Sequence, residues 1–176
     1  APTPSPVHDR LMEWLELAGP AGVNLPAERY HSSLVQMPQW PSRARMMWRY
    51  QNALAKTTDD AELSELCPSL PLSNVQAFLV CASHLKDPGE QARRIWISSA
   101  NSPADEQDLL SLFGQSFTPA DQWARYERQE ATGQYAAARR QILRLQPDQQ
   151  PVANARLSQK TSSPDADTLF DDLSTE

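Results

Sequence analysis

Fifteen prolines against five glycines in 176 residues narrow what this chain can fold into more than any other feature. Proline lacks a backbone N–H and restricts the residue before it, so it opens or ends helices and is excluded from central strands. Here the prolines fall at the edges of apolar segments with helical spacing, and glycine-rich turns and runs of Val, Ile or Thr are scarce. An all-β domain is therefore disfavoured, and many short helices with abrupt starts are expected.

The periodicity places these helices in order. Val7–Ala18 carries Leu11, Trp14, Leu15 and Ala18 on one face and stops at Gly19-Pro20. Pro26–Met37 follows, with Tyr30, Leu34 and Met37 apolar, until Pro38-Gln39-Trp40-Pro41 breaks it. A third segment, about Ser42–Lys56, carries Met46, Met47, Tyr50 and Leu54. Asp59 or Asp60 can cap a short helix to Leu66, and Ser73 or Asn74 can cap Val75–Leu85. Further helices open at Asp87-Pro88, Ser102-Pro103 and Thr118-Pro119. Gly133 separates the last of these from Tyr135–Leu145, and Asp148–Lys160 closes the series, with a last short turn expected at Leu169 and Phe170.

Short links between successive helices set them side by side and antiparallel. The expected fold is all-α: an irregular α-solenoid of about ten short helices, tetratricopeptide-like but without a strict period of about 34 residues. Residues 1–6 read as a disordered leader, 7–160 as the helical domain and 161–176 as an acidic, mostly disordered tail.

A net charge of −6 leaves no electrostatic footprint for nucleic acid. The pairs Arg43/Arg45, Arg93/Arg94 and Arg139/Arg140 read as solvated helix faces. No apolar run approaches the roughly 18 residues of a membrane span. Three scattered histidines and no CxxC give no metal-ligand spacing, so neither a metal nor a cofactor is expected. Cys67 and Cys81 suit either one disulfide or two buried free thiols.

The repeated S/T-P-A-D at Ser102–Asp105 and Thr118–Asp121 reads as helix-start chemistry. The hydroxyl accepts from an orphan N–H, proline sits at the first helical position, and the aspartate favours the positive end of the dipole. Glu127 and Glu130, with Arg125 and Arg128, read as surface ion pairs rather than a glycosidase carboxylate pair. Trp14, Trp48, Trp96 and Trp123 lie within apolar helical patterns and read mostly as core. Trp40, in the PQWP loop, is the better candidate for an exposed aromatic platform able to stack on sugar.

Several segments together resemble one family. NLPAERYHSSLVQMPQWPSRARMMWRYQNALA resembles a helix–loop–helix of soluble lytic transglycosylases of the α-proteobacterial type, where an N-P-D-W-P loop joins the helices. ARRIWISSANSPADEQDLLSLFGQSFTPADQWARYERQEATGQYAAARRQILRL resembles a later part, with an FG turn followed by LTPADHxARxDRLLWxGxxxAA. VANARLSQ followed by DADTLF is similar to what comes next, so the likeness runs in order from about Val7 to Phe170. It implies the α-superhelical U-domain that precedes a lysozyme-like catalytic domain. The family's catalytic glutamate stands in an E-S-x-F segment followed by G-L-M-Q-L-M-P, and neither Glu127-Arg128 nor Glu130-Ala131 matches it.

The resemblance thus implies a scaffold without its own catalyst, a periplasmic setting, and peptidoglycan or a wall-associated protein as partner. An oxidising compartment would favour the Cys67–Cys81 disulfide. A free-standing periplasmic adaptor for protein partners is the alternative expectation.

Overall fold

The computed structural model describes residues 5–162. Most of the expected leader, nearly all of the acidic tail and the turn at Leu169 and Phe170 lie outside the described residues. Among the described residues the regular structure is all-α, as the proline pattern predicts. Two compact units divide the chain, Ala1–Pro88 and Gly89–Glu176.

The first unit contains α1 (Pro6–Ala18), α2 (Ala27–Gln36), α3 (Arg43–Leu54), α4 (Asp60–Leu66) and α5 (Val75–Cys81). Ser5 caps α1, Asp59 caps α4 and Asn74 caps α5, each accepting from a backbone N–H three residues on. The core gathers Trp14 and Leu17 from α1, Tyr30 and Leu34 from α2, and Met46, Tyr50 and Leu54 from α3. Leu63, Leu66, Ala77 and both cysteines complete it.

The inward face of α1 differs from expectation. Trp14 and Leu17 are buried, whereas Leu11 and Leu15 face solvent. Trp14 leans on Trp40, with ring centroids 5.9 Å apart, and this turns Leu15, about 100° further round, away from the core. Beyond α1 the chain passes so close to Leu17 that a Cβ on Gly22 would lie 2.2 Å from the Leu17 carbonyl oxygen, so only glycine fits.

Cys67 and Cys81 form a disulfide across 14 residues, tying the C-terminus of α4 to that of α5. Both residues are buried.

The second unit contains α6 (Pro88–Ser98), α7 (Pro103–Phe113), α8 (Pro119–Ala131), α9 (Tyr135–Ile142) and α10 (Gln149–Thr161). The two S/T-P-A-D segments are helix starts: Ser102 accepts from the Asp105 N–H and Thr118 from the Asp121 N–H. At α8 the box closes, because the Asp121 carboxylate accepts the Thr118 N–H at 2.8 Å. Gly133, at φ +74°, ends α8. The Gln134 N–H reaches the Gln129 carbonyl and the Gly133 N–H reaches that of Glu130, the pairing of a Schellman turn. The chain then doubles back, so that Gln141 of α9 meets both Arg125 and Gln122 of α8.

Opening the disulfide releases a loop constraint on the unfolded chain. Replacing both cysteines by serine is expected to lower the first unit's stability by about 3 kcal/mol, measured by chemical denaturation. Reducing agent should then produce no further loss.

Candidate binding cleft and a buried arginine centre

The first unit holds an open cleft of about 790 Å³. The link Val23–Pro26 forms one wall and α3 the other, with Tyr30 and Ala53 among the lining residues. Residues 57–59, Glu62, Asn74 and Gln76 also line it. Asn24 adopts a left-handed backbone at φ 62°, a conformation asparagine tolerates better than most residues.

Two features keep the cleft in shape. The buried Tyr30 hydroxyl donates to the Gly22 carbonyl and accepts the Leu25 N–H, which fixes the link. Arg49 reaches out of α3 to the Leu17 and Gly19 carbonyls at 2.5 and 2.7 Å, satisfying the open end of α1. Arg43 and Arg45 act similarly on the Leu34 and Ala18 carbonyls. These arginines, expected as a solvated face, are therefore caps for neighbouring helices.

Trp40, the sequence candidate for an aromatic platform, is half-buried and packs against Trp14 and the core of the first unit. Trp48 instead is 64% exposed and lines the cleft. On α3 it lies two residues from both Met46 and Tyr50, about 200° round the helix from the buried stripe. Trp14 and Trp96 are core, as expected, and Trp123 is half-buried.

The second unit is organised round Arg125, which is wholly buried. Its guanidinium lies 3.8 Å from the centre of the Trp96 ring. It donates to the Trp96 carbonyl in the last turn of α6, to the Ala100 carbonyl just beyond it, to Gln141, and to Glu106 at 2.8 Å. Burial pushes this arginine down to about 10 against the pull of Glu106. Glu106, also buried, accepts in addition from Arg140 at 3.1 Å and lies 3.4 Å from Arg144. Each of the three Arg125 side-chain nitrogens meets an acceptor, so the centre holds helices together.

The sequence pattern puts Arg125 on a charged surface and gives Glu106 no role. The available signal was Asp121, Arg125 and Gln129 at intervals of four on a helix with few apolar residues, marking a polar inward face. Glu127 and Glu130 do form ion pairs, but across helices: both carboxylates converge on Arg156 of α10, at 3.5 and 3.2 Å. Glu130 is buried there rather than on the surface.

One further cluster has the composition of a nucleophilic relay. The Ser64 hydroxyl lies 3.1 Å from His84 Nδ1, and His84 Nε2 lies 3.2 Å from Asp60. The Asp60 side chain is 90% exposed, and the Ser64 hydroxyl donates within α4 to the Asp60 carbonyl at 2.9 Å. The hydroxyl proton is thus committed away from the base that a relay requires. Among the described residues no group of His, Cys, Asp and Glu could hold a metal ion, and no helix is long and apolar enough to cross a membrane.

Compared with known proteins, the chain matches no family model, no curated protein and no solved structure.

Glu106→Gln would leave three arginines without their carboxylate, and a loss of about 3–5 kcal/mol is expected. Glu127→Gln, on an exposed partner, should change stability by no more than about 0.5 kcal/mol in the same denaturation experiment. Asp121 gives a pH test. Burial opposes its ionisation, but hydrogen bonds from Thr118 and Arg93 outweigh burial and hold the carboxyl below its usual value. A depressed carboxyl stabilises fully above the unfolded value of about 3.9, and that contribution fades as pH falls through the folded one. Asp121→Asn should therefore cost about 1 kcal/mol at pH 7, with the gap to wild type closing below about pH 4.

Proposed function

We propose that this chain is a non-catalytic helical scaffold equivalent to part of the superhelical U-domain of a periplasmic soluble lytic transglycosylase. The observation that carries the reading is the ordered likeness of its segments to that family from about Val7 to Phe170. The likeness falls on the α2–α3 pair and on α6 through α9, and the all-α architecture agrees with it. The buried Cys67–Cys81 disulfide suits an oxidising compartment such as the periplasm. In this reading the helical pairs stack as an irregular, tetratricopeptide-like solenoid.

The scaffold supports or positions glycan strands while a lysozyme-like domain cleaves between N-acetylmuramic acid and N-acetylglucosamine, giving a 1,6-anhydro product. The chain has no E-S-x-F segment, so it supplies no catalytic glutamate. A second reading, a periplasmic adaptor for a protein partner, is favoured by one observation: Val7, Leu11, Met12 and Leu15 of α1 are exposed apolar residues on one helix.

Incubation with purified insoluble peptidoglycan separates these readings. The scaffold is expected to sediment with the polymer and release no anhydro-muropeptides, followed by mass spectrometry. Anhydro products would overturn the non-catalytic assignment. Absence from the pellet, with specific capture of a periplasmic protein, would favour the adaptor.

A further inference from the structure

We propose that the cleft of the first unit is an oligosaccharide-binding site with Trp48 as its stacking platform. The cleft volume of about 790 Å³ falls within the roughly 300–1,000 Å³ typical of ligand pockets. Trp48 is the wall residue that the fold does not need. Its indole is 64% exposed, while Met46, Tyr50 and Leu54 supply α3's share of the core. An exposed indole offers a flat apolar face, the complement of the C–H face of a pyranose ring.

The polar groups around it narrow the ligand further. Trp48 and Asn52 lie four residues apart on α3, Lys56 stands in the turn just after it, and all three line the cleft. Beyond Lys56, Thr58 adds a hydroxyl, and Thr57, whose hydroxyl donates to the Ala53 carbonyl, adds an acceptor. Amides and hydroxyls both donate and accept, which suits a ligand bearing many hydroxyl groups. The charged lining is balanced, Arg49 and Lys56 against Asp59 and Glu62, and Arg49 is already committed to the end of α1. The cleft therefore has no net charge with which to attract a polyanion.

Peptide ligands fit less well. An extended peptide adds to a free strand edge, and the described residues contain no strand. A helical peptide needs a continuous apolar groove, whereas here Val23, Leu25, Pro26 and Ala53 share the lining with Lys56, Asp59 and Glu62. The choice of sugar, a chain of N-acetylated hexosamines, rests on the scaffold reading above; the site itself rests on the cleft.

Titration calorimetry of the whole chain with the tetramer of N-acetylglucosamine tests the site. Wild type should bind, and Trp48→Ala should weaken binding about tenfold or more with an unchanged unfolding midpoint. Trp48→Phe should keep most of the affinity. No binding by wild type, or equal binding by Trp48→Ala, overturns the site. Parallel sedimentation with peptidoglycan separates the two proposals. If wild type and Trp48→Ala sediment equally, the scaffold reading stands and the site falls. If wild type binds the tetramer through Trp48 but stays out of the pellet, the site stands and the wall-scaffold reading falls.

Discussion

The structure depends on arginines that complete the ends of helices other than their own. The last turns of α1, α2 and α6 carry no basic residue, so each leaves carbonyls open at its negative pole. Arg45 and Arg49 supply α1, Arg43 supplies α2, and Arg125 supplies the last turn of α6 and the segment just after it. A guanidinium suits this task because its fork of donors can meet two carbonyls at once. Each cap is also a tertiary contact: the α3 arginines fix α1 and α2 against α3, and Arg125 fixes α6 against α8. Little of this work is left to apolar packing alone in α8, whose buried residues include Asp121, Arg125, Gln129 and Glu130.

Burying Arg125 and Glu106 is tolerable only because each has several partners. Arg125 stacks on Trp96, whose ring also stacks with Phe117 at 5.1 Å, and its N–H groups find carbonyl, amide and carboxylate oxygens. A buried ion pair replaced as a whole by apolar residues can be neutral, but one stripped of a single partner is not. The arrangement therefore enforces which helices meet more than it adds net stability.

The starts of helices were legible in the sequence. Asp59, Asn74, Ser102 and Thr118 cap where their chemistry says they should, and Gly133 stops α8 for a reason visible in its type. The faces were less legible. Leu11 and Leu15 have the spacing of a buried stripe, yet only the position of Trp40 against Trp14 decides which side of α1 turns inward. The two tryptophans exchanged roles for a related reason. A loop residue reads as exposed, but Trp40 finds a partner across the fold, while helical Trp48 sits outside the arc that Met46, Tyr50 and Leu54 already fill. Arg125 and Glu106 were hidden because a charged residue on a helix reads as solvated until its partners on other helices are known.

The direction of the arginine contacts has a consequence for a chain made from its N-terminus onward. Arg43 caps a carbonyl 9 residues behind it, Arg45 one 27 behind, and Arg49 one 32 behind. Arg125 reaches back 29 and Arg140 reaches back 39. In each case the carbonyl is synthesised first and its arginine later. As the polypeptide emerges, α1 and α2 can begin from their own residues but stay open at their far ends until α3 appears, and α6 waits likewise for α8. For α1, α2 and α6 the stop is completed from downstream, so each unit settles only when its later helices return to close the earlier ones.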